Sequence, residues 1–143
     1  MGSRRKSREL AMQALFYMDK CHGNSEEILN NFTDNFNPPE DILPFFYRLV
    51  NGVISSAPEI DGIIERFSSN WKISRMSCVD RNIMRIAVFE LVWCDDIPCK
   101  VSINEAIDIG KKYGTDESGP FINGILDSVR DAVEKEVIKV KTN

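Results

Sequence analysis

A chain of 143 residues, 43% hydrophobic and 28% charged, is the size and composition of one globular domain with a full apolar core. No apolar run is long enough to cross a bilayer and the N-terminus has no signal-peptide core, so a cytoplasmic protein with no membrane contact is expected. Four cysteines without a CxxC pair, a single histidine, and glycines at 110, 114, 119 and 124 that fit no phosphate-loop spacing argue against a zinc site, a disulfide framework, a nucleotide cofactor and a histidine-based catalytic centre.

The expectation is therefore a non-enzymatic protein with no cofactor and no metal. Charge is unevenly spread: the formal total is −4, yet the first eight residues hold four cations and no acid, which leaves −8 on the remainder. An acidic body with a basic prow suggests a local anion-binding device.

The pattern is helical throughout, without strand alternation. A first helix is expected from about Ser3 to Cys21, closed by Gly23 and Asn24, with His22 as a cation suited to a helix end and not as a catalytic group. Ser25 is expected to cap a second helix, "SEEILNNFTDNF", which places Glu26 and Glu27 in its first turn. "NPPED" restarts a third, with Pro44 early, where a missing N–H matters little, and Pro58 opens a fourth. After a turn at "KISRMS", the segment from Ser77 to Asp95 has apolar residues on every side and should be a buried central pillar. Glu90 lies within it, and a buried carboxylate needs an arginine or backbone donors as partner; a structural role is the expectation. In "VSINEAIDIGKKYG", Ser102 and Glu105 have capping-box spacing and Gly114 is the stop. Pro120 stands at the start of a last helix with a stripe of Phe121, Ile122, Ile125, Leu126, Val129 and Val133, and the lysine-containing tail should fray.

At about 100° per residue the first helix places Leu10, Ala11, Ala14, Tyr17, Met18 and Cys21 on one side, the expected core face. Arg5, Glu9, Met12, Gln13 and Phe16 then fall on the wet side, where Met12 and Phe16 make an apolar contact patch. Arg4, Arg5, Lys6 and Arg8 crowd the N-terminal turn, against the preference of the helix dipole. A local rule broken in this way points to polyanion binding; the alternative is a solvated, disordered start. Guanidinium groups suit phosphate because they are planar and permanently charged.

"RRKSRELAMQALF", "VDRNIMRIAVFEL", "IPCKVSINEAIDIGKKYG" and "FINGILD" stand in the order and spacing of a known family. From Arg4 to about Val133 the chain resembles the NusB family of bacterial transcription antitermination factors. The resemblance implies one all-α RNA-binding domain over residues 1–143, of about seven helices in two packed three-helix bundles around a buried central helix. It implies binding of the boxA element of nascent RNA together with NusE, a small-subunit ribosomal protein, within an RNA polymerase complex that suppresses premature termination.

Carried onto this sequence, the resemblance assigns RNA binding to Arg4, Arg5, Lys6, Arg8 and Phe121, with Phe121 readable equally as a plain core residue. It leaves Pro120 where many relatives carry a lysine, with Lys111, Lys112, Lys139 and Lys141 as the cations available to compensate. For the protein partner it suggests Asp80 and Arg81, exposed at the start of the central helix, completed by Met12 and Phe16. A homodimer that buries this face is also implied as an option. Two other classes stay open: an RNA-targeting module of a ribosomal RNA methyltransferase, against which the lack of a Rossmann-like segment speaks, and a scaffold whose basic end meets an acidic protein.

Overall fold

Four of the helices start where the chain can satisfy or dispense with its first free N–H groups. The computed structural model describes residues 2–21, 24–69 and 71–141. It contains α1 (Gly2–Lys20), α2 (Ser25–Phe36), α3 (Leu43–Ser55), α4 (Ala57–Phe67), a 3-10 turn (Ile73–Arg75), α5 (Cys78–Trp93), α6 (Cys99–Tyr113) and α7 (Ser118–Glu134). Among the described residues there is no strand, and no helix is long and apolar enough to cross a membrane. His22 and Gly23, expected at the end of the first helix, lie outside the described residues.

Asn24, not Ser25, caps α2: its Oδ1 accepts from the N–H groups of Glu26 and Glu27 at 2.8 and 3.3 Å. Ser77 caps α5 by accepting from Asp80 N–H at 3.0 Å. Pro44 falls in the first turn of α3 and Pro58 in that of α4, as the pattern requires. The turn between α6 and α7 needs Gly114, because a Cβ there would lie 2.2 Å from Ser118 Oγ and 2.8 Å from Gly110 O.

The capping-box reading at Ser102 and Glu105 fails. Pro98 precedes α6 and the helix begins at Cys99, so both residues are one turn or more inside it. Their spacing serves a different purpose, described below.

The central-pillar expectation holds. α5 packs against α1, α3, α4, α6 and α7, and its residues from Asn82 to Trp93 are buried except Arg85. α5, α6 and α7 form one three-helix bundle; α1, α2 and α3 form the other, joined partly by the stacked rings of Phe32 and Phe46 at 6.1 Å. α4 bridges the two through α3, α5 and α7. Gly52 lets α3 press onto α5, since any Cβ there would enter the Phe89 ring.

The tail does not fray at Lys141. Its N–H donates to Val92 O at 2.6 Å and its ammonium pairs with Glu59 over the Trp93 ring.

Candidate nucleic-acid and partner interfaces

The first helix is rotated by roughly a quarter turn from the face its apolar residues suggest, at about 100° per residue. Its buried side is Ser7, Arg8, Glu9, Ala11, Met12, Ala14 and Leu15, whereas Tyr17 is 45% exposed. Ion pairing is the cause. Arg8 is buried and grips Glu90 with two parallel bonds, Nε to Oε2 and Nη2 to Oε1, both 2.8 Å. Ser102 Oγ donates to the same carboxylate at 2.7 Å, and Arg8 Nη1 reaches Glu105 at 3.2 Å. Burial alone would lower the affinity of Arg8 for its proton, but the hydrogen bond and charge of Glu90 more than reverse that.

Arg8 is thus corrected from a phosphate ligand to the core partner that Glu90 demands. Arg5 continues the same network outward: Nε and Nη2 donate to Glu105 at 2.7 and 2.5 Å, and Nη2 to Asp108 at 3.0 Å. The hydrogen bond from Arg5 holds the Glu105 carboxyl below the ordinary range, against the opposing effect of partial burial. A 36% exposed side chain leaves Arg5 half open to solvent.

Arg4 and Lys6 are the open cations of the four. Both are exposed, and neither makes an ion pair among the described residues. The Arg4 guanidinium lies 4.4 Å from the centroid of the Phe45 ring, which orients it without neutralising it. No acid occupies the first turn of α1.

Phe121 is half-buried in the first turn of α7, edge-to-face with Trp71 at 5.4 Å between centroids. It follows the C-terminal end of α6, whereas Arg5 binds residues in the N-terminal two-thirds of that helix. The cationic start of α1 and Phe121 are therefore two ends of a surface, not one pocket. Of the lysines near this end, Lys112 is held by Glu9 at 3.2 Å, while Lys111 is exposed and runs its alkyl chain beside Gly119. Sequence reasoning missed Trp71; its signal was an indole inside an acid-free run, "RFSSNWKISR".

The proposed partner residues divide. Met12 is buried, at 3% exposure, and lies beneath the surface instead of on it. Phe16 is half-exposed and lines an apolar groove of about 430 Å³ with Tyr17, Phe32, Phe36, Val79 and Tyr113. Arg81 is not free: its Nε pairs with Asp19 at 3.0 Å and its side chain is 18% exposed. Asp80 is half-buried, with Oδ1 enclosed and without a hydrogen-bond partner. Both were expected to be exposed; capping by Ser77 and the charge of Asp19 draw the start of α5 against α1. Burial pushes the Asp19 carboxyl up, but hydrogen bonds from Asn82 and Arg81 and the charge of Arg85 bring it below its ordinary value.

Fold and surface together define a small all-helical binding protein with a cationic pole at one end of α1 and an aromatic groove along its side. The chain belongs to the NusB family, whose model matches residues 5–131. A transcription antitermination protein NusB from Desulfatibacillum aliphaticivorans is 57% identical over 136 residues, covering 95% of each chain. The solved NusB of T. maritima is 37% identical with a TM-score of 0.78, covering 90% of each chain. A structure of the antitermination factors NusB and NusE in complex with double-stranded RNA superposes with a TM-score of 0.83 at 28% identity, covering 92% of this chain and 98% of that one.

Proposed function

We propose that this chain is a transcription antitermination factor that binds the boxA element of nascent RNA together with NusE, as part of an RNA polymerase complex. The observation that carries the RNA contact is the pair of exposed cations, Arg4 and Lys6, at the start of a helix with no acid in its first turn. They stand in a chain of net charge −4, so the attraction is local. Arg5 beside them is held by Glu105 and Asp108 and half open to solvent. Arg8 contributes through the position of α1, not through phosphate.

NusE docks on the groove beside Phe16, where aromatic side chains supply an apolar anchor. The protein works as a non-catalytic adaptor in the cytoplasm: RNA at one surface and protein at another, each contact raising the effective concentration of the other partner.

The test is a titration of labelled single-stranded boxA RNA with and without NusE. RNA should bind weakly alone and more tightly with NusE. Changing Arg4 and Lys6 to Ala should flatten the log–log salt dependence by about 1.4, or about 0.7 per neutralised phosphate, with unchanged helical circular dichroism. Unaltered affinity and slope in that variant would overturn the reading.

A further inference from the structure

Outside the groove beside Phe16, Trp71 is the largest apolar side chain left open among the described residues, at 47% exposure. Trp71 N–H donates to Ser68 O at 3.1 Å, and Ser68 Oγ donates back to Trp71 O at 3.2 Å. Two residues on, Ile73 N–H donates to Glu65 Oε2 at 2.8 Å, and Arg81 reaches Ile73 O at 3.5 Å. Trp71 and Ile73 are thereby tied to α4 on one side and α5 on the other, with the indole edge-to-face against Phe121.

The charge along its own segment is one-sided, whereas Asp116 and Glu117, both exposed, precede Phe121. From residue 66 to residue 79 the chain has three cations and no acid, in a molecule that is acidic overall. Arg66, Lys72 and Arg75 are all exposed, and none makes an ion pair among the described residues. The nearest acid in sequence, Glu65, is turned to the backbone of Ile73. Lys111 adds a further exposed cation where α6 passes Gly119, two residues from Phe121.

We propose that Trp71 extends the RNA contact that the family resemblance implies for Phe121, offering its ring to a base of single-stranded RNA, with Arg66, Lys72 and Arg75 holding the phosphates beside it. Rigid aromatic faces set among cations fit this ligand because every base has a π-face and every linkage a negative charge. An acidic peptide would use the cations but gain little from an aromatic pair. The inference rests on the RNA-binding reading above and adds a second contact to it. The Arg81–Asp19 pair ties this loop to the C-terminal end of α1, about 22 Å along the helix from Arg4 at 1.5 Å per residue. One strand then touches both ends of α1, and the two contacts, sharing no residue, contribute independently.

The experiment measures binding of labelled single-stranded boxA RNA, with NusE present, to the full chain and to Trp71→Ala, Trp71→Phe and the pair Lys72→Ala with Arg75→Ala. Trp71→Ala should weaken binding about tenfold, and Trp71→Phe should restore most of it because a ring is enough to stack. The lysine–arginine pair should flatten the salt slope by about 1.4. RNA should also quench indole emission in the parent chain and not in Trp71→Phe, since Trp93 is buried. If the parent binds and Trp71→Ala matches it within about twofold, the Trp71 contact is wrong while the Arg4 and Lys6 reading stands. Equal losses in Trp71→Ala and Trp71→Phe would also overturn it, as the mark of loop packing. A parent chain that binds no RNA even with NusE would end both readings.

Discussion

The guanidinium of Arg8 meets the Glu90 carboxylate through two 2.8 Å bonds, and the two side chains are 4% and 1% exposed. A pair so placed ties the first helix of the chain to its central one. Removing one partner strands the other charge in the core. Arg8→Met should therefore destabilise the fold by about 3–5 kcal/mol, and the double change Arg8→Met with Glu90→Met should recover most of that loss. Urea denaturation of the three chains checks it. A single variant less than about 1 kcal/mol from the parent would show that the pair is not the tie described.

Glu105 and Asp19 contribute to the acid response, beside the exposed Asp96, whose carboxyl the Arg48 hydrogen bond lowers to about 2. Each carboxyl is held below its ordinary value in the folded chain, Glu105 chiefly by the Arg5 hydrogen bond and Asp19 by Asn82, Arg85 and Arg81 against burial. The unfolded chain therefore takes up protons first. The stabilisation is complete above the ordinary carboxyl range, about pH 4, and is lost as pH falls through the depressed folded values. Glu105→Gln should lower the melting temperature at pH 7 and flatten its decline between about pH 5 and pH 3. A decline as steep as the parent's would exclude Glu105 as a source.

Phe16 separates the two interfaces. It is half-exposed in the aromatic groove, with Lys20 Nζ 5.5 Å from its ring, and takes no part in the Arg8 network. Phe16→Ala should reduce affinity for NusE by about 2 kcal/mol or more, as expected for an anchor residue. RNA binding by the chain alone should be unchanged. Calorimetric titration with NusE, beside an RNA titration, reads both; a loss in RNA binding alone would reassign the face.

Two glycines test packing in opposite directions. A Cβ at Gly52 would lie 2.1 Å from the Phe89 ring, whereas at Gly62 it would meet nothing within 4 Å. Gly52→Ala should destabilise by about 1–3 kcal/mol through overpacking against α5. Gly62→Ala, in an exposed helical position of α4, should stabilise by about 0.4–1 kcal/mol. Thermal melts of both variants decide; equal shifts of the same sign would contradict the close approach of α3 to α5.

Much of the fold was legible because its signals are local. Pro44 and Pro58 mark helix starts, Ser77 caps, Gly114 stops, and the apolar run from Ile83 to Trp93 declares a buried pillar whatever surrounds it. The need of Glu90 for a partner was legible too, from the cost of burying a bare carboxylate. Its partner was not. Arg8 is 82 residues away, and nothing in "RRKSR" distinguishes a cation bound for the core from one bound for solvent. Ser102 and Glu105 misled for the same reason: the spacing of a capping box is also the spacing of two residues on one helix face.

The sequence by itself determined seven helices, a buried fifth among them, an acidic body and a cationic start, since these follow from periodicity, breakers and charge count. Only the tertiary structure decided which cations remain open. Long-range ion pairs turned α1 until Arg8 and Met12 faced inward and left Arg4 and Lys6 in water, and the packing of α7 against the segment after α4 set Trp71 against Phe121. The physical reason is that a charge is spent or available according to what lies within a few ångströms of it, and chain order does not specify that neighbour.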